Sequence, residues 1–441
     1  MSTIVTPPPR DSASAAPATM NAKRRPTPRR RVWTLAASHG VTDFFSVLPI
    51  ALLPVIEGRG GLTTTQGAVL ITAGGMSSGL IQPIVAWLSD RLDTRIFASL
   101  GILVASIAIA GFAFVNSFAA LLALQIVALA GVGAYHPIGA ATMGQFTRTN
   151  RSFGVAIFFV MGMVGHWVGN IAGPQLVALG GLESLAGLIL PAAGVALALQ
   201  IAIGSAPHRH TDAHSHASRF SVSESRRRWF AVGVLFAGNV IRFTVNMMMF
   251  MLVVRWAEAT VRAGMVVGLT ETEIDLAASK LNGLLQASLV VGMGIGGLGA
   301  GRFVRAGREK WPMVLIAWFG APLIWLLPFT NDWVALLVAI GVGIGYASTV
   351  PLTLALSQRL LPHRTSLASG IVLGGTWIFS SLGPILAQFL ADEFGLRTAF
   401  GITAVALASA GALTMALPAD LLRSSAQQDT LDLNELERED D

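Results

Sequence analysis

The sequence of 441 residues contains no cysteine. That excludes disulfides, a thiolate nucleophile and a thiolate metal site, and it leaves the redox compartment open. Charge is also scarce. Asp, Glu, Lys and Arg together make up 12% of the chain, against roughly 25% in soluble domains. Nucleotide-binding motifs are missing too. The glycine runs Gly292 to Gly297 and Gly162 to Gly173 follow nothing strand-like and lie in apolar stretches, where small residues let membrane helices approach closely. ATP hydrolysis is therefore excluded as the energy source. No nucleophile, metal-ligand set or acid pair with catalytic spacing stands in any loop, so the chain reads as neither an enzyme nor a cofactor or metal protein.

What is present is apolar. Hydrophobic residues make up 53% of the chain and the mean hydropathy is +0.64. The charges gather at the ends of long apolar runs, which is the membrane pattern. The pI is near 10.6, yet the basic residues occupy short segments between apolar runs. Anionic lipid and topology explain them, and nucleic acid does not. Twelve spans are predicted near 33–56, 66–88, 96–115, 119–141, 153–177, 185–204, 229–254, 276–301, 312–329, 332–356, 366–390 and 399–417. Two of them open on capping boxes, Thr63 with Gln66 and Thr270 with Glu273. The expected fold is an all-α membrane protein of twelve transmembrane helices. Residues 1–31 read as a cytosolic tail, because the apolar stretch after them is too long for a signal peptide. Residues 32–206 and 229–418 form six-helix bundles, 207–228 a polar linker and 419–441 an acidic tail.

Lys and Arg placement sets the expected orientation. With the N-terminus inside, 24 of the 30 basic residues are cytosolic and five, Arg59, Arg255, Arg262, Lys280 and Arg397, are outside, while Arg242 stays within a span. Both termini are then cytosolic. The halves are also repeats: Gly131 and Gly133, Gly165, Trp167, Gly173 and Pro174 recur 210 residues on as Gly341 and Gly343, Gly375, Trp377, Gly383 and Pro384. A parallel repeat of two six-helix halves is a transporter architecture with its substrate site between the halves.

These residues resemble the major facilitator superfamily. Ala86 to Arg95 after the second span is similar to the family's loop motif, with Asp93 and Thr94 departing from it; the counterpart at Gly301 to Lys310 is basic but lacks the Asp. Gly162, Gly165, Gly169 and Gly173-Pro174 resemble the antiporter motif of the fifth helix. Within the superfamily, His39 to Asp43, Gln82-Pro83 and Tyr135-His136-Pro137 resemble the fosmidomycin-resistance-type efflux subgroup. The resemblance implies drug/proton antiport, and gating at the cytosolic side by Asp90, Arg91 and Arg95 and along the fifth helix by Gly173 and Pro174.

Ionisable residues inside the spans are few: His39, Asp43, His136, His166 and Arg242. A charge at the bilayer centre costs roughly 2.5–3.5 kcal/mol on insertion scales, so each is expected to face protein or water. His39 and Asp43 are four apart and share a helix face. Asp43 is the expected protonation site with His39 as its partner. His136 either satisfies the backbone defect made by Pro137 or joins the proton path. Arg242, counted from Arg228, lies at mid-depth and either pairs with Asp43 or binds an anionic substrate group. His166 lines the cavity or packs, and Trp167, Trp377 and Phe243 can stack an apolar substrate. His208, His210, His214 and His216 read as a solvated linker.

The expected function is proton-coupled export of a small organic compound by a monomer in the cytoplasmic membrane. Uptake of an organic anion is the alternative, and a membrane receptor or metal sensor using the linker histidines is a third.

Overall fold

The computed structural model describes residues 28–89, 92–147, 151–204, 220–264, 269–364, 367–368 and 370–427, with the side chains of Pro28, Arg151, Ser152, Phe153, Val155, His363 and Leu373 left aside. The linker histidines, Asp90, Arg91 and residues 1–27 and 428–441 of the outer tails lie outside these residues. Among the described residues there is no strand, and eleven helices are long and apolar enough to cross a membrane, or twelve with one bent pair.

That bent pair is the first span. Helix α1 (Pro28–Ala51) and α2 (Leu53–Gly60) meet at 53°. Pro54 has no amide hydrogen to donate to Ile50, and the break falls there. The N-terminal half continues with α3 (Thr64–Ser89), α4 (Arg95–Gly111), α5 (Phe118–Phe146), α6 (Arg151–Gly180) and α7 (Ile189–Ile203). The C-terminal half holds α8 (Val222–Ala263), α9 (Glu271–Phe303), α10 (Lys310–Leu326) and α11 (Asp332–Ala347), with α12 (Val350–Leu360) completing the tenth span. A π-helical turn at Gly370–Gly375 leads into α13 (Thr376–Ser380) and α14 (Gly383–Phe394), and α15 (Leu396–Thr414) is the last span. All twelve predicted spans are present. Both capping boxes form, with Gln66 and Thr63, and Glu273 and Thr270, exchanging side-chain and backbone bonds.

Three boundaries differ from expectation, one of them at 419–427, expected as tail and found helical. Arg29 to Arg31 belong to α1, and the stretch expected to be linker up to Arg228 is helical from Val222, where Ser221 accepts from the amide of Glu224 as N-cap. Polar, arginine-rich helix was mistaken for linker because hydropathy measures lipid exposure and not helicity. We call the face where α1 begins proximal and the opposite face distal.

The halves meet where α6 packs on α9 and α3 on α14. Within the first half, α6 lies against α1 through glycines. A Cβ on Gly165 would stand 2.0 Å from the Gly40 carbonyl oxygen and 2.8 Å from its Cα. Those neighbours are backbone and have no rotamer to escape into. Gly165→Ala is expected to destabilise the protein by about 3 kcal/mol, at or above the top of the overpacking range. At the repeat-equivalent Gly375 a Cβ would meet the Phe236 ring at 3.3 Å and the Gly370 carbonyl oxygen at 3.9 Å, so Gly375→Ala should stay within about 1 kcal/mol. Thermal unfolding in detergent checks this, and equal shifts for the two variants would refute it.

Candidate functional site

Asp43 sits on α1 at 7% exposure, and three imidazoles from three helices converge on it. His39 Nε2 lies 3.3 Å from Oδ2, His136 Nε2 3.2 Å from Oδ1 and His166 Nε2 3.7 Å from Oδ2. His39 follows from helical spacing. His136 comes from α5 and His166 from α6, so only packing brings them in. Gly162 makes the room: a Cβ there would stand 2.5 Å from Asp43 Oδ2 and 2.6 Å from His39 Cε1.

The rings are held from behind. His39 Nδ1 is 2.6 Å from the Phe158 carbonyl oxygen, and its ring stacks on Phe158 at 3.8 Å between centroids. Tyr135 OH bridges Ser38 Oγ at 2.8 Å and the Leu35 carbonyl at 3.2 Å, and its ring lies 5.8 Å from the His39 ring between centroids. His136 Nδ1 is 2.8 Å from the Val132 carbonyl. The carbonyl that Pro137 leaves without a helical donor is that of Gly133, so the imidazole binds beside the defect and reaches Asp43 with its other nitrogen. His166 contacts Ser46 Oγ at 3.1 Å. His39 is 3% exposed, whereas the His136 and His166 side chains are 29% and 27% exposed and give the cluster its edge toward solvent.

Arg242 is elsewhere, and the expected pairing with Asp43 does not form. Its guanidinium donates to the carbonyls of Met313 and Ala410 at 3.3 Å each and to Thr414 Oγ1 at 2.8 Å. Met313 is the fourth residue of α10, and Ala410 and Thr414 are among the last five residues of α15. Arg242 is the 21st of the 42 residues of α8, and its side chain is turned toward α10 and α15, where a cation satisfies the carbonyls and dipole of a helix C-terminus. Arg228, fourteen residues earlier on α8, is itself buried under the end of α12, donating to the Leu360 carbonyl at 3.2 Å. Arg242→Met should lower stability by about 1–3 kcal/mol through the lost bonds. Transport should be untouched, as thermal unfolding and a flux assay would register together.

Among the aromatic residues, Phe243 and Trp377 make an edge-to-face pair at 5.2 Å between α8 and α13. Trp167 is not their counterpart. Met163 and Asn170 face α9, where Met163 Sδ and the Asn170 carbonyl lie against the Gly294 and Gly283 positions. At 100° per residue, His166 and Trp167 then fall on opposite flanks of that contact. Trp167 is 43% exposed and points away from the Asp43 cluster.

Of the expected gating residues, Arg95 pairs with Asp93 and donates to the Gly204 carbonyl at 3.1 Å, ties that stay within one half. Gly173 packs on Leu48, and Pro174 stands against the Gly283 position of α9. The stronger bridge between the halves was missed. At the distal face Arg255 of α8 grips Glu57 of α2 with two bonds, 2.6 and 2.7 Å, and both residues are buried. Arg255 also donates to Gln388 Oε1 at 2.6 Å, Glu258 at 2.8 Å and the Thr64 carbonyl at 3.1 Å. A Cβ on Gly67 would stand 1.6 Å from Glu57 Oε1, so glycine admits the carboxylate. Asn282 of α9 donates to the carbonyl of Ile50 at 2.8 Å, the one left open by Pro54. Glu57 and Arg255 end apolar runs and read as loop charges. The available signal was the acid between Pro54 and Gly58 at a span end.

Known proteins agree with this architecture. The profile of the Major Facilitator Superfamily matches residues 35–272 and 274–432. The fosmidomycin resistance protein of Escherichia coli (strain K12) is 24% identical over 389 residues, covering 87% of this chain and 91% of its own. The uncharacterized MFS-type transporter YfnC of Bacillus subtilis (strain 168) is 23% identical with the same coverage. Among solved structures, an inward-facing, occupied bacterial homolog of the human lysosomal transporter Spinster superposes with a TM-score of 0.68 at 16% identity, covering 90% of this chain and 97% of the other. A bacterial homologue of the human drug peptide transporters PepT1 and PepT2 gives 0.67 at 13%, covering 91% and 100%. This multi-pass, all-helical chain belongs to the Major Facilitator Superfamily and is a secondary transporter.

Proposed function

We propose that the protein exports a small organic compound in exchange for protons, by alternating access, from the cytoplasmic membrane with both termini inside. The observation that carries this is the buried Asp43 carboxylate ringed by His39, His136 and His166, three side chains whose reference pKa of about 6.5 lets them exchange protons near neutrality. Ionisable groups at such a depth are functional by default. Export is favoured by the likeness to a fosmidomycin resistance protein. The proximal face is the cytosolic one in this reading, so the Glu57–Arg255 bridge closes the external side. Phe243 and Trp377 offer an aromatic wall for the substrate, and His166 stands on the cleft side of α6.

Uptake of an organic anion has less support, since Arg242, the residue that suggested it, is engaged with helix ends. Everted membrane vesicles test the proposal: with an imposed pH gradient they should accumulate fosmidomycin or another compound from a drug panel, and collapsing the gradient should release it. Accumulation that ignores the gradient would refute coupling, and accumulation only in right-side-out vesicles would refute export.

A further inference from the structure

We infer that the cluster around Asp43 holds two protons at once, one on each carboxylate oxygen's contact, so that one transport cycle releases two. This rests on the reading of Asp43 as the coupling site.

The argument is a count of hydrogens. The Phe158 and Val132 carbonyl oxygens can only accept, so the Nδ1 atoms of His39 and His136, 2.6 and 2.8 Å from them, carry hydrogen. In a neutral ring the remaining nitrogen, Nε2, is then a bare lone pair. Those two Nε2 atoms are the ones that face Asp43, at 3.3 Å from Oδ2 and 3.2 Å from Oδ1. An ionised carboxylate also offers only lone pairs. With neutral rings the buried Asp43 carboxylate would thus meet two acceptor-to-acceptor contacts, an arrangement that buried polar groups avoid. One proton repairs one contact and leaves the other. Two repair both, either as two imidazoliums flanking a carboxylate or as one imidazolium with a protonated acid whose hydroxyl donates to the second ring. The proton count and the net charge are the same in both forms.

No further proton is needed from the neighbours. Ser46 donates its hydroxyl hydrogen to the Asp43 carbonyl at 2.8 Å. Its oxygen must then accept from His166 Nε2 at 3.1 Å, so His166 is satisfied as a neutral ring. Tyr135 is tied to Ser38 and Leu35. Among the described residues the charged or titratable groups acting on Asp43 are His39 on its own helix, His136 from α5 and His166 from α6. Release leaves a carboxylate and two neutral rings. The protons pass to water through the partly exposed His136, and the renewed lone-pair repulsion pushes the three groups apart.

The test needs no substrate. Full-length protein with nitrogen-15 histidine and carbon-13 aspartate, in lipid nanodiscs, is titrated from acid to alkaline pH by NMR, with His39→Gln, His136→Gln and Asp43→Asn used only to assign signals. Two protons should be lost from the His39, His136 and Asp43 set, while Nδ1 of both rings stays protonated throughout. Loss of a single proton, or an Nδ1 that deprotonates, overturns the inference while leaving proton coupling standing. A stoichiometric divalent metal on the Nε2 atoms, found by elemental analysis, also overturns it. Failure of the coupling reading shows separately, as gradient-driven flux that survives in Asp43→Asn.

Discussion

Asp43→Asn is expected to reduce gradient-driven transport to the level of vesicles lacking the protein, with the chain still folded. Asparagine keeps the shape of aspartate above Gly162, so the close approach of α1 and α6 survives. Its amide can donate to one Nε2 and its oxygen can accept from another, which keeps the stability change within about 1–3 kcal/mol. What it cannot do is change charge. Without a titrating carboxylate, the imidazoles have no anion to gather around, and proton binding is uncoupled from the position of α1 against α5 and α6. Downhill exchange of substrate, which needs no proton, should persist. Measuring both fluxes in the same vesicles separates a lost coupling step from a lost fold. Wild-type accumulation in the variant would sink the proposal that Asp43 couples transport.

The second large effect concerns the distal bridge. Arg255→Leu leaves Glu57, Glu258 and the Thr64 carbonyl around an apolar side chain, and stripping one partner from a buried ion pair costs about 3–5 kcal/mol. Because Glu57 and Arg255 belong to different halves, that energy is lost only while the distal face is closed. About 5.5 kcal/mol takes a two-state equilibrium from 1:99 to 99:1, so the variant should open distally in a large share of molecules. Glu57→Gln combined with Arg255→Met removes both charges and should return much of the closed population, since a neutral, well-packed replacement of a buried pair is often tolerated. The chain has no cysteine, so spin labels at exposed Thr65 and Ala263, one in each half, can be placed without background. Their separation should lengthen in Arg255→Leu and shorten again in the double variant. Identical distance distributions in all three proteins would show that the bridge does not hold the face shut.

How far these sites were legible depended on the range of the interaction. His39 and Asp43 stand one helical turn apart, and local periodicity is enough to put them on one face. His136 and His166 were visible as rare ionisable residues in apolar runs, but their meeting at Asp43 depends on α5 and α6 crossing α1, which Gly162 and Gly165 permit. Arg242 carried the same signal as Asp43 and went the other way. Helix rotation, which turns one side chain inward and another toward α10 and α15, has no trace in hydropathy. The Glu57–Arg255 bridge joins residues 198 positions apart, and charges at span ends look alike whether they meet solvent or each other.

The sequence by itself determined the spans, the two capping boxes, the repeat and the Asp43 helix face, because lipid, backbone hydrogen bonding and helical spacing act over a few turns. The partners of Asp43, the diversion of Arg242 to a helix end and the closure of the distal face were decided only by tertiary packing. These depend on how helices far apart in the chain are rotated against one another, and that rotation is set by close backbone contacts at glycines.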